Sequence, residues 1–150
     1  MDPKKIKQLR EDTGAGVMEA KKILEEFDWD LDKAKKHFLS KAGAKAAKKA
    51  DRNASDGLVH SYIHTNGKLG SLILVACETD FVAKTEDFQK LVREIAMQVC
   101  TEDYKNLKDL LEAEYMRDPS KSVQDYINEV TAKLGEKIEI KKFVKYSISD

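Results

Sequence analysis

The chain carries no net charge: 27 basic and 27 acidic side chains cancel over 150 residues. As a whole it therefore has no electrostatic bias toward nucleic acid or membrane. It has no apolar run near the roughly 20 residues that a membrane helix needs. Met1-Asp2-Pro3-Lys4-Lys5 leads straight into a helical pattern, with no secretory apolar segment. Only two cysteines are present, Cys77 and Cys100, each inside an apolar pattern and neither in a pairing or metal motif. Reduced thiols in a soluble cytoplasmic protein are the expectation. Catalytic signatures are missing too: there is no Cys–His pair, nucleophile elbow, phosphate-binding glycine loop or HExxH. His60 and His64 share a strand face but stand roughly 13 Å apart at strand rise, too far to share a metal. His37 is isolated on a lysine-rich helix. These absences point away from enzyme chemistry: no catalytic residue, no metal and no cofactor is expected.

What is present is periodic. Asp2 is placed to cap a first helix with Pro3 at its first position, on which Ile6 and Leu9 share a face. Thr13-Gly14-Ala15-Gly16 breaks it. A second helix follows with Val17, Ala20, Ile23, Leu24 and Phe27 on one side, and Asp30 caps a third with Leu31, Ala34 and Phe38 inward. From Ser40 to Ser55 the chain is rich in Ala and Lys, which reads as an exposed helix running into a linker. Beyond Gly57, Leu58–His64 alternates, Asn66-Gly67 is a two-residue hairpin signal, and Leu69–Cys77 is the return strand. Helices are expected at about Glu86–Cys100, Tyr104–Tyr115 and Val123–Leu134, the last ended by Gly135. A final strand covers Lys137–Ile148, with Ile138, Ile140, Val144, Tyr146 and Ile148 on one face and Glu139, Lys141 and Lys145 on the other. Strands first, then helices, then a strand give the α+β class: a small three-stranded antiparallel sheet with helices packed on it.

Three features stand apart from the core pattern. Between Lys33 and Arg52 there are eight basic side chains and one acid, Asp51. Lys41 to Arg52 could touch phosphates, but it lacks the interleaved aromatics that stack bases, and a solvated lysine face is the commoner meaning of such a run. Met18 projects with Lys21, Lys22 and Glu25, away from the apolar stripe, and with Val17, Lys7 and Arg10 forms a small contact patch. Phe81 lies at the corner between the strand ending at Cys77 and the helix capped by Thr85. By pattern alone, Phe81 belongs to the core, stapled onto Phe88.

Two stretches resemble the same family. Leu9-Arg10-Glu11, followed by Thr13-Gly14-Ala15-Gly16-Val17-Met18-Glu19-Ala20-Lys21-Lys22, resembles the opening signature of the elongation factor Ts family. Cys77-Glu78-Thr79-Asp80-Phe81-Val82-Ala83 resembles its second signature. Gly43-Ala44-Lys45-Ala46-Ala47-Lys48-Lys49-Ala50 is similar to the family's linker, and Lys133-Leu134-Gly135-Glu136-Lys137-Ile138 to a third landmark. Four landmarks in order across nearly the whole chain make the resemblance specific.

The resemblance implies a ubiquitin-associated-like three-helix domain over residues 1–40, a basic helical linker over 41–55 and an α+β core subdomain over 56–150. It further implies guanine-nucleotide exchange on elongation factor Tu. Asp80 and Phe81, with Thr79 and Val82 beside them, would insert near the partner's nucleotide site and disturb its magnesium. Lys7, Arg10, Val17 and Met18 would grip the partner's GTPase domain, with Val17 standing where the family usually has Met. The resemblance thus reverses the core reading of Phe81. Family members carry a second core subdomain and a helical hairpin that are absent before the chain stops at Asp150. A second copy could supply equivalent surface as a homodimer, the chain could bind through the GTPase domain alone, or it is a shortened form. Two other functions stay open here: an RNA-binding adaptor using Lys41 to Arg52, and a scaffold that binds elongation factor Tu without promoting exchange.

Overall fold

In the computed structural model, which describes residues Met1–Asp150, local chemistry sets the helix ends of the N-terminal third. Asp2 accepts hydrogen bonds from the amides of Lys4 and Lys5 and so starts α1 (Pro3–Thr13). Pro3 stands at the first helical position, where a missing N–H costs nothing. Gly14 ends the helix in the left-handed conformation, φ 77°. α2 (Val17–Glu26) and α3 (Leu31–Ala47) follow, the latter capped by Asp30, whose carboxylate accepts from the Lys33 amide. Leu9, Ala20, Ile23, Leu24, Ala34 and Phe38 close a small core between them. Val17 departs from the expected stripe and is half exposed. At the first position of α2 its Cα–Cβ bond tilts toward the helix N-terminus, so the side chain leans past the end of the helix, away from the core.

From Asp56 onward the order is β1 (Asp56–Ile63), β2 (Leu69–Cys77), the single turn α4 (Asp80–Ala83), α5 (Glu86–Val99), α6 (Leu107–Glu112), β3 (Glu114–Tyr115), β4 (Asp118–Ser122), α7 (Val123–Leu134) and β5 (Glu139–Ser147). The main sheet has the order β1-β2-β5, all antiparallel, with β2 in the middle. Ile73 and Val75 of β2 meet Phe88, Leu91, Val92 and Ile95 of α5 and Ile127 of α7 in a continuous core. This is the expected α+β arrangement of N-terminal helices and a three-stranded antiparallel sheet packed with helices. As expected, helix continues past residue 40, but it is not wholly exposed. It runs on to Ala47, burying Ala42 in the N-terminal core, to which Ala132 of α7 also packs.

Four local expectations change. The β1–β2 connection is a four-residue loop, because the His64 amide donates to the Leu69 carbonyl and the Gly67 amide to the His64 carbonyl. The expected helix over Tyr104–Tyr115 shrinks to Leu107–Glu112, started by Asn106, whose side chain accepts from the Asp109 amide. The residues after it become a β3–β4 hairpin. The cause is the buried Gln98, which donates to the Glu114 carbonyl and accepts from the Met116 amide at 2.7 Å, holding that segment extended. Last, β5 carries a bulge: Leu74 pairs with Lys142 and Val75 with Ile140, so Lys141 is skipped. A one-residue slip flips every later side chain. Ile138 and Ile140 face the core as expected, but Phe143 replaces Val144 inward, and Val144, Tyr146 and Ile148 are exposed.

At Gly57 the backbone has φ 137°, and a Cβ would stand 2.1 Å from the Val75 carbonyl oxygen of the adjacent strand. Gly57→Ala is therefore expected to destabilise the protein by about 1–3 kcal/mol. A urea-unfolding midpoint equal to the parent's would show instead that the start of β1 can move away.

Candidate functional site

β2 ends at Cys77, whose thiol is fully buried and donates to the Thr79 carbonyl at 3.2 Å. Burial pushes this thiol up to about 11, so it is an inert packing group at neutral pH. Thr79 then caps α4, its hydroxyl accepting from the Val82 amide at 3.4 Å. Val82 and Ala83 turn into the core, filling the space beneath the corner. On a single helical turn this leaves Asp80 and Phe81 on the outer side.

Phe81 is 86% exposed, whereas Phe88 is fully buried, so the two form no staple. The pattern-based placement of Phe81 in the core is thereby overturned. Leaving such a ring in water forgoes about 1.5–3 kcal/mol of burial. Asp80 pairs with Lys84 one turn later at 2.7 Å, and this hydrogen bond raises the ammonium's pKa. The corner follows β2 and leads into α5, whose cap Thr85 accepts from the Phe88 amide. It is a short projection between rigid elements. Two residues that the periodic reading did not single out, Arg52 and Glu136, also reach it.

The second group lies on α1 and the start of α2. Lys7 and Arg10 are exposed at helical spacing i, i+3. Lys7 pairs loosely with Glu11 at 3.7 Å, and Arg10 Nε donates to the Ala15 carbonyl at 3.3 Å, tying α1 to the turn before α2. Beyond that turn stand Val17 and the largely exposed Met18, which shares a shallow groove with Lys21, Lys22 and Glu25. The lysines of the expected linker lie on and after the later half of α3, with Lys41 paired to Glu19 at 3.4 Å. Among the histidines, His64 sits past the end of β1, its Nδ1 3.0 Å from the Tyr62 hydroxyl. No group of three His, Cys, Asp or Glu side chains converges as metal ligands would, and no helix is long and apolar enough to cross a membrane.

The two groups are held in one frame by a buried joint. Lys121 of β4 and Glu129 of α7 have side chains only 6% and 7% exposed and stand 2.9 Å apart. The same ammonium donates to the Asp12 carbonyl of α1 at 2.7 Å. Asp12 in turn pairs with Lys35 of α3 at 2.6 Å. Burial pushes the Glu129 carboxyl up to about 7, against the opposing pull of Lys121. A cleft beside this joint is lined by Asp12, Lys35, Tyr115, Asp118, Lys121 and Glu129, among others.

Comparison with known proteins converges on one family. A family model described as Elongation factor TS matches residues 78–150, a stretch that includes the Phe81 corner and all of the chain beyond it. Elongation factor Ts of Coprothermobacter proteolyticus is 42% identical over 191 aligned positions, covering 97% of this chain and 96% of the relative. The protein of the same name from Moorella thermoacetica is 40% identical, over 97% of this chain and 94% of its own length. That of Syntrophobacter fumaroxidans is 38% identical, over 95% and 94%. Set against 150 residues, an alignment of 191 positions leaves at least 41 positions of the first relative without a counterpart here, inside the matched span. This chain is thus a short form. With identity at this level running through nearly the whole of both chains, the protein belongs to the elongation factor Ts family, and with it to the elongation factors of protein synthesis.

Proposed function

We propose that this protein is a guanine-nucleotide exchange factor: it binds the GTPase domain of elongation factor Tu carrying GDP, disturbs the magnesium site and promotes GDP release so that GTP can bind. The observation that carries this reading is the phenylalanine held out in water on a turn whose neighbours, Val82 and Ala83, are packed inward. Magnesium requires near-ideal octahedral geometry with ligands at about 2.0–2.1 Å, so a small displacement of its surroundings costs much of its binding. With the ion displaced, the phosphates are less neutralised and their backbone cradle holds them less well. A wedge of this kind speeds release without making or breaking a bond, and the protein acts in the cytoplasm, where translation runs.

Magnitudes divide the work. A 10⁴-fold acceleration lowers the barrier by about 5.5 kcal/mol. Burying Phe81 in a pocket of the partner supplies about 1.5–3 kcal/mol. The rest falls to Asp80 and to the patch formed by Lys7, Arg10, Val17 and Met18, which makes Phe81 a hot spot in a distributed interface. Linkage makes the action catalytic. If the factor weakens nucleotide binding, nucleotide weakens the factor's binding equally, so incoming GTP ejects it.

The test is release of fluorescent GDP from elongation factor Tu on mixing with this protein. Release faster than the spontaneous rate, saturating with factor concentration, is expected. Binding with release left at the spontaneous rate would reduce the protein to a scaffold.

A further inference from the structure

A four-residue helix cannot hold its own direction. One turn fixes several dihedral angles for one or two hydrogen bonds, and nucleation is unfavourable in isolation. The backbone of the turn contributes the bonds from the Ala83 amide to the Thr79 carbonyl, from the Lys84 amide to the Asp80 carbonyl and from the Thr85 amide to the Val82 carbonyl. Val82 and Ala83 anchor its inner side in the core, and its N-terminal end is held from outside the turn.

That outside partner comes from the turn between α7 and β5. Gly135 ends α7 in the left-handed conformation, which swings the next residue, Glu136, toward the end of β2. One carboxylate oxygen of Glu136 accepts from the amides of Glu78 at 3.1 Å and Thr79 at 2.9 Å. Its other oxygen accepts from the Thr79 hydroxyl at 2.7 Å. Giving up its hydrogen to Glu136 leaves the Thr79 hydroxyl oxygen to act as an acceptor, and in that role it takes the Val82 amide and caps α4. The arrangement is reciprocal. The Glu78 carboxylate accepts from the Lys137 amide at 2.8 Å and from Arg52, which also donates to the Gly135 carbonyl at 3.2 Å. The Lys137 amide above all, with help from Arg52, holds the Glu78 carboxyl below its usual range. Glu136 is half-buried and takes no part in the apolar core, and β2–β5 pairing begins beyond it, at Ala76 and Glu139. Its hydrogen bonds go to the corner alone.

We propose that Glu136 is the positioning residue of the exchange wedge: its carboxylate clamps Glu78 and Thr79 and so fixes the direction in which α4 presents Asp80 and Phe81. This rests on the exchange reading for its consequence, though not for its geometry. It gives a physical role to the Lys133–Ile138 landmark.

Two measurements on the full chain decide it. Amide hydrogen exchange compares the parent with Glu136→Ala. Faster exchange confined to Val82, Ala83 and Lys84, with α5 and β2 still protected and the unfolding midpoint kept, is expected. Unchanged protection at those three amides overturns the proposal. So does protection lost across the whole chain, because Glu136 would then be a general stabiliser. Release of fluorescent GDP at saturating factor is then measured for Glu136→Ala alone and in a Phe81→Ala background. Losing charge-assisted hydrogen bonds is expected to slow release about tenfold in the parent and less than about twofold once Phe81 is gone. Equal losses in both backgrounds overturn the idea that Glu136 acts through the wedge. Should Phe81→Ala itself release GDP at the parent rate, the wedge reading fails, and hydrogen exchange alone still decides whether Glu136 sets the corner.

Discussion

Phe81→Ala is expected to slow GDP release from elongation factor Tu by about ten- to a hundredfold and to leave the unfolding midpoint of the free protein where it was. The rate follows from the burial a phenylalanine gains in a partner's pocket, about 1.5–3 kcal/mol, with each 1.36 kcal/mol worth a factor of ten. The stability follows from where the ring is. At 86% exposure its removal opens no cavity, and alanine is a better helix former than phenylalanine. Were Phe81 a core residue, the same change would cost about 3–5 kcal/mol and be plain in any melt. Release kinetics and thermal unfolding on the same sample therefore separate the two roles. A parent-like release rate would show that the exposed ring contributes nothing to exchange.

The second large effect falls on the joint between the N-terminal helices and the sheet unit. Lys121→Met removes the buried ammonium that serves Glu129 and the Asp12 carbonyl together. Breaking a buried pair from one side costs about 3–5 kcal/mol when the remaining charge cannot be neutralised. Here it can be. The Glu129 carboxyl is already raised to about 7 in the intact protein, against about 4.5 for a solvated one. For a raised folded value, this group's stability contribution is complete below about 4.5 and is lost as pH climbs through about 7. Stability of the parent attributable to Glu129 thus declines from pH 5 to pH 8. Removing Lys121, which pulls the value down, extends that decline to higher pH. The penalty of Lys121→Met is therefore expected to be about 1–2 kcal/mol at pH 5, mainly the unsatisfied Asp12 carbonyl, and about 3 kcal/mol or more at pH 9. Urea unfolding at the two pH values measures it. A penalty that shrinks with rising pH would contradict the assignment of the buried proton to Glu129.

Elements whose ends depend on near neighbours were legible in the sequence, and those set by distant ones were not. Asp2 with Pro3, Asp30, Thr85 and Gly135 act within one helical turn, so the starts of α1, α3 and α5 and the end of α7 followed from the residue types alone. The β3–β4 hairpin depends on Gln98, sixteen residues before Glu114 and a helix away, and no local pattern carries that bond. The bulge in β5 adds one residue to one strand, which alternation cannot anticipate. Phe81 shows the same limit at the site itself. Its apolar character argued for the core, the family resemblance argued against it, and no local pattern carries the inward packing of Val82 and Ala83 that leaves the ring in water. That Asp80, Lys7, Arg10 and Met18 lie exposed was legible, because charge and off-stripe position are local properties, whereas their role toward a partner was implied by the family resemblance alone. The bonds of Glu136 span more than fifty residues and were not.

The continuity of α3 has a consequence for recognition. Seventeen residues of helix form a rod about 25 Å long, packed against α7 rather than loose in solvent. On the proposed exchange function, the Met18 patch and the Phe81 turn would therefore be two weak contacts carried on one frame. Once either has docked, the other meets its site at an effective concentration set by geometry, as in a bivalent ligand with a stiff linker. Such a ligand gains avidity only from a partner whose two sites have the matching separation. A GTPase offering both surfaces at a different spacing would be held by one of them at a time.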